Sequence, residues 1–483
     1  MNDIRCSYEK NRTFRAIQNL KGTPVYGALK RQSYETGEPA PRFGSNEMAI
    51  RKTVASVVAA AALLGTSTVS YAATEISWWH AMGGALGDAV NEMATAYNAS
   101  QDACVITPSY KGGYEDTLTA GIAAFRAGEQ PNVIQVFDAG AATIIGAKGA
   151  VIPAQTILQE AGVEFDINDY IEGVRNFYAD SDGTMIGMPF NSSTPILYTN
   201  EEALQKAGVE APKTWEEFQE IAPKLKEAGY VPLAQSHLPW IFTENFKSRH
   251  NLQFATNNNG YDGATGTQLI FGEPIKAHFT AVKEWLDNDL FAWYGTGWSD
   301  NQTPFNEGKV AMWLGSSGSF AGIQQTVEFP FSATFLPYWD AVEGAGTGTF
   351  IGGAALFAMS GKPDEENKCV ASFFEYLSSP EVQYTWHRDT GYVPITNAAY
   401  ELAKEDGHYE RFPAAEVGIQ QLTLPGGEWT KGYRMGFYVQ IRDVMNREYG
   451  RILTGETDVE TAFATIEEEG NRLLERFAKT IEN

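Results

Sequence analysis

The chain has 483 residues, with 36 Lys and Arg against 60 Asp and Glu, a formal charge of −24 at pH 7. Its 43% apolar and 20% charged content belongs to a folded globular protein and excludes a disordered chain or a fibrous repeat. So acidic a protein lacks the clustered cations that nucleic acid or an anionic membrane surface requires, and at roughly 150 residues per domain it holds two or three folding units.

Residues 1–47 form a polar extension with no apolar period, read as an untranslated upstream stretch or a leader. Met48 is the expected start. Arg51 and Lys52 precede an apolar run from Val54 to Leu64, and Ser70-Tyr71-Ala72 closes the segment. Cations, a short apolar run and a small-x-Ala site are the order of a secretory signal, and the run is too short to span a bilayer. Residues 48–72 therefore read as a signal peptide cleaved near Ala72, and the exported remainder carries −29. Two cysteines remain in it, Cys104 and Cys369. An exported protein could join them in one bridge, but their spacing does not demand it, and two buried thiols are the plainer reading.

Past Ala73, strand and helix patterns alternate: strand 76–80, helix 86–98, strand 105–110, helix 116–127 and strand 133–137. That rhythm predicts a mostly parallel sheet flanked by helices, with ligand-facing loops at its carboxyl end, at 80–84, 111–115 and 138–140. Pro189 and Pro195 bracket small polar residues and mark an extended crossing. A strand at 196–199, a helix from Trp215 capped by Thr214 and Glu217, a helix at 275–287 and a strand at 310–314 build a second α/β unit. Glycine-rich 344–353 returns the chain to the first unit, and two charged helices end it. The fold class is α/β with two lobes and a cleft between them. Lobe 1 comprises 73–194 plus 353–393, and lobe 2 comprises 195–352 plus 394–483.

Catalytic patterns fail one by one. Gly315 to Ser319 reads G-S-S-G-S and breaks the G-x-S-x-G nucleophile elbow at its last position. Gly346-x-Gly348 lacks the rest of a dinucleotide fingerprint, and no phosphate-binding G-x-x-x-x-G-K-[ST] occurs. His80, His237, His250, His278, His387 and His408 include no i, i+4 pair, so no metal and no cofactor is expected. The hydroxyl turn at 316–319 reads equally as an anion-holding turn or as helix caps. Arg442 lies on an aromatic helical segment whose pattern can turn it inward, although a lone Arg there is more often a surface or ion-paired residue.

The segments WWHAMGGALGDAVNEMATAYN, YKGGYEDTLTAGIAAFRAG, PFNSSTPILYTN, SSGS, IGGAAL, WHRDTGYVPIT and TKGYRMGFYVQIR carry a resemblance. Over nearly the whole exported chain it is similar to the periplasmic sn-glycerol-3-phosphate-binding components of bacterial ABC uptake systems, within extracellular solute-binding protein family 1. The resemblance implies a periplasmic monomer that closes about a hinge on one small molecule and delivers it to permease subunits with their ATPase, without catalysis. It assigns Tyr114 and Asp138 to the glycerol hydroxyls, and Ser193, Ser316, Gly353, Tyr392 and Arg442 to the phosphate. Trp240 becomes an aromatic plate. Two positions depart from the family pattern, Asp138 standing for Glu and His237 for a second Trp. The shorter and less aromatic side chains suggest a roomier pocket that also takes glycerophosphodiesters such as glycerophosphocholine. An oligosaccharide binder on the same scaffold and a secreted glycerophosphodiester hydrolase are the alternatives.

Overall fold

A computed structural model describes residues 72–482 apart from Ser181 and Trp298. The polar extension and the signal segment, except Ala72, lie outside the described residues. Among those described, no helix is long and apolar enough to cross a membrane.

Among the described residues, eleven strands form two sheets. They are β1 (Thr74–His80), β2 (Cys104–Tyr110), β3 (Val133–Phe137), β4 (Val151–Ile152), β5 (Met188–Ser193), β6 (Pro195–Asn200), β7 (Val231–Gln235), β8 (Phe291–Ala292), β9 (Val310–Ser316), β10 (Phe331–Phe335) and β11 (Gly352–Met359). The first sheet runs β2-β1-β3-β11-β4, with β5 also paired to β11, and the second runs β10-β6-β9-β7-β8. The expected strand–helix–strand units are parallel: β1 pairs with β2 and β3, and β7 with β8 and β9. The strands that carry the chain across, β5, β6 and β11, pair antiparallel, so each sheet is mixed.

Helix α1 (Gly84–Ser100) covers the first sheet with Val90, Met93, Ala94 and Tyr97, a face spaced at three and four residues. Helix α2 (Tyr114–Ala127) follows β2, and α3 (Asp138–Gly146) follows β3 without a loop. The stretch 138–140, expected as a loop, is thus the first turn of a helix. Gly140 serves close packing there rather than a turn, because a Cβ would lie 2.9 Å from both Leu118 and Val136 side chains. In the second unit, helix Trp215–Glu227 starts at the expected capping box, with Glu217 N–H donating to Thr214 Oγ1 at 3.1 Å.

Both crossings meet. Thr194 lies between β5 and β6, Thr349 lies just before β11, and their hydroxyls are hydrogen-bonded. Gln421 Nε2 donates to the Pro195 carbonyl at 2.7 Å and to Thr349 Oγ1 at 3.0 Å, while its Oε1 accepts from Leu336 N–H at 2.6 Å. The two cysteines are joined, contrary to the thiol reading: Cys104–Cys369 is a disulfide with Cα atoms 5.7 Å apart. It ties the start of β2 to helix Asp364–Ser378. Sequence spacing hid it because 265 residues separate the partners.

Candidate ligand-binding cleft

A cavity of about 320 Å³ opens between the two units, a volume suited to a small molecule. The first sheet supplies its walls from the carboxyl ends of the strands, as expected for such sheets. Gly113 N–H donates to Asp116 Oδ2 at 3.1 Å, fixing the start of α2 and therefore Tyr114, whose ring stacks on Phe137 at 5.1 Å. Asp138 opens α3. Ser193 ends β5, opposite Gly352 of β11. Gly353 adopts φ +93°, and a Cβ there would fall 1.9 Å from the Asn191 carbonyl oxygen, so only glycine fits.

The second unit contributes the turn after β7. His237 takes φ +57°, and a π-helical turn, Pro239–Asn245, carries Trp240. The indole packs on Gly352, where a Cβ would sit 2.4 Å from the ring. Tyr392 enters after the left-handed Gly391, stacked on Trp386 at 5.9 Å. Asn191 Nδ2 donates to the Tyr114 hydroxyl at 2.8 Å, and Gln135 Nε2 holds Asn191 Oδ1 at 2.7 Å. Burial raises the Tyr114 and Tyr392 phenols above their usual range, leaving both as neutral hydroxyls at neutral pH.

Arg442 projects from helix Tyr438–Thr454 between two carboxylates. Its Nε and Nη2 donate to Glu244 at 2.7 and 2.6 Å, and its Nη1 donates to Asp138 Oδ1 at 2.8 Å. The Tyr433 hydroxyl lies 3.3 Å from Nη2 and itself donates to Glu244 at 3.2 Å, and Tyr438 donates to the other Glu244 oxygen at 3.1 Å. The Glu244 side chain is 0% exposed and that of Asp138 6%. Burial acts to depress the Arg442 pKa, but Asp138 and Glu244 outweigh it and hold the guanidinium charged. Burial raises the Glu244 carboxyl, against the pull of Arg442. Burial, aided by the Arg442 charge, lowers His237 to about 4, so it is neutral at pH 7.

Eight of the nine residues singled out from the sequence line this one cavity: Tyr114, Asp138, Ser193, His237, Trp240, Gly353, Tyr392 and Arg442. Ser316 does not line it. Its hydroxyl accepts the Gly318 N–H at 3.0 Å and caps the turn after β9. The neighbouring Ser317 holds the crossing, its N–H donating to the Thr194 carbonyl at 2.9 Å and its Oγ accepting from Thr194 N–H at 3.2 Å. The motif therefore pins the connection rather than presenting a row of hydroxyls to the cavity. Sequence reasoning missed Glu244, and also Trp293, Thr296, Asp443 and Asn446 on the cavity wall, while Glu115 belongs to the expected ligand-facing loop 111–115. For Glu244 a signal existed: it is the only charge in the apolar run LPWIFTENF, where a lone carboxylate needs a partner.

The pattern of the bacterial extracellular solute-binding proteins matches residues 92–414. The chain is 40% identical over 418 residues to the sn-glycerol-3-phosphate-binding periplasmic protein UgpB of Rhizobium meliloti strain 1021, spanning 85% of this chain and 96% of that protein. It is 39% identical over 435 residues to UgpB of Escherichia coli K12, spanning 89% and 98%. Among solved structures, UgpB from Mycobacterium tuberculosis in complex with glycerophosphocholine superposes with a TM-score of 0.69 at 21% identity, covering 84% of this chain and 99% of that one. A cyclic alpha-maltosyl-1,6-maltose binding protein from Arthrobacter globiformis reaches 0.66 at 19% identity, covering 84% and 100%. The fold is thus shared between phosphodiester and sugar binders, and side chains must decide the ligand.

Proposed function

The chain belongs to the bacterial extracellular solute-binding proteins, and from that premise we propose that it is the periplasmic component of an ABC importer that captures sn-glycerol 3-phosphate, and glycerophosphodiesters such as glycerophosphocholine. The observation that carries this reading is the cavity itself. Ser193, Tyr392 and the backbone at Gly353 bring neutral donors to the same space as Arg442. A phosphate ester carries roughly −1 to −2 charge and is held well by such directed donors once water is excluded. Arg442 brings one N–H more, since its bonds to Glu244, Asp138 and Tyr433 occupy four of five. Asp138 and Tyr114 accept from the glycerol hydroxyls, and the Trp240 face covers the carbons. His237, smaller than a second Trp, leaves room for the head group of a diester.

In this reading, 73–194 with 353–393 and 195–352 with 394–483 are lobes that rotate about the joined crossings at Thr194 and Thr349. Closure creates the shape that permease subunits with their ATPase recognise, and no covalent step is involved. Residues 48–72 are removed on export, and the protein acts as a periplasmic monomer. The relatives' names and their coverage of this chain support the assignment. Calorimetric titration of the protein purified from periplasm with glycerol 3-phosphate, glycerophosphocholine and maltose tests it. One-to-one binding of a phosphate ester supports the reading, and binding of maltose alone overturns it in favour of an oligosaccharide. Turnover of the diester would point instead to a hydrolase.

A further inference from the structure

Resting on the reading of the cleft as a phosphate-ester site, we infer that it holds the phosphate group as a monoanion, so that a phosphomonoester binds with uptake of one proton and a phosphodiester binds with none. The ground is the arrangement of charge. Among the described residues, Arg442 is the only Lys or Arg on the cavity wall, and its charge is already shared between Asp138 and Glu244 at 2.6–2.8 Å. That three-membered group is net −1, and Glu115 and Asp443 add two more carboxylates to the wall.

No other group facing the cluster restores the balance. From the turn after β7, His237 is neutral at pH 7. Tyr433 and Tyr438 present neutral hydroxyls to Glu244, and burial keeps the phenols of Tyr114, Tyr178 and Tyr392 protonated. Arg434, whose charge acts on Tyr178, is not on the cavity wall, and its Nη2 points to the carbonyls of Phe177 and Ala179, so it donates no bond to a ligand in the cavity. One negative charge on a ligand is therefore met by hydrogen-bond donors. A second meets no further cation among the described wall residues and faces the carboxylates, a repulsion that strengthens as closure removes water.

A phosphomonoester loses its second proton near pH 6, so at pH 7.5 it is mostly a dianion and must regain that proton to fit. A phosphodiester has no second proton to lose. Titration of the periplasmic protein with glycerol 3-phosphate and with glycerophosphocholine, at pH 7.5 in two buffers of different ionisation heat, counts the protons taken up. The expected result is about one proton for the monoester and none for the diester. Between pH 6 and pH 8 the monoester's Kd should weaken about fiftyfold, as the binding-competent fraction falls, while that of the diester moves by less than about twofold. Tight monoester binding without proton uptake overturns the inference and leaves the functional reading standing. Equal uptake with both ligands also overturns it, since the proton then goes to a protein carboxylate. Failure of both ligands to bind overturns the functional reading as well.

Discussion

Glu244 does more for the cleft than any residue the sequence pointed to, because it fixes the cation that everything else surrounds. It accepts two bonds from Arg442 and two from buried tyrosine hydroxyls, and its own side chain is fully buried. Hydrogen bonds to a charged group contribute about 1.5–3 kcal/mol, and without the Glu244 carboxylate only Asp138 still faces the Arg442 charge. Glu244→Gln should accordingly lower unfolding free energy by about 3 kcal/mol in a denaturant melt, and an unchanged midpoint would count against the triad. The buried histidines give a second test at this scale. Burial holds His250 at about 3 and His387 at about 4, so both are neutral in the native state at neutral pH. In the unfolded chain they titrate near 6.5. Below that pH the unfolded state binds protons that the native state refuses, and stability falls as pH drops toward 4. By pH 5 the loss is about 2 kcal/mol for each histidine. Denaturant midpoints at pH 7 and pH 5, compared between the native chain and His250→Asn, would show it as a shallower pH dependence in the variant.

Elements were legible where a period or a cap announced them. The capping box at Thr214 and Glu217, the apolar face of α1 and the proline-bracketed crossing at 189–195 all follow from residue spacing. What spacing could not give is contact between distant segments. Ser316 and Ser317 look alike in sequence, yet one caps a turn and the other clamps Thr194. Asp138, Glu244 and Arg442 come from three separated segments, so their triad has no local signature. The crossings carry the tests here. Gly353→Ala places a methyl against the Asn191 carbonyl at a positive φ, and should cost about 3 kcal/mol and abolish ligand binding together. Gln421→Leu strips partners from the buried Pro195 carbonyl and Leu336 N–H, which should cost about 2 kcal/mol without altering any residue on the cavity wall.

At the scale of the whole molecule, the two-lobed plan was readable because each sheet's strands cluster in sequence, apart from β11. The disulfide was not readable. It closes a loop of 265 residues that includes the whole second sheet, and it joins two elements of the first unit at the opposite end of β2 from the cleft-side loop. Cys104→Ser with Cys369→Ser should remove about 4 kcal/mol of stability while leaving ligand affinity within about twofold, seen by thermal unfolding and titration together. The charge distribution is the other molecular feature, since residues 73–483 carry a net charge of −29 and attract an anion only at short range. Raising ionic strength should therefore not weaken ligand association as it would in a cationic cleft.

The measurement closest to the central claim is calorimetric titration of glycerol 3-phosphate into the native protein beside Tyr392→Phe, which keeps the ring on Trp386 and removes one hydroxyl from the cavity. One-to-one binding in the native protein, weakened about tenfold in the variant with an unchanged melting temperature, is the predicted result. Absence of binding in the native protein, or equal affinity in both, would contradict a phosphate-ester site in this cleft.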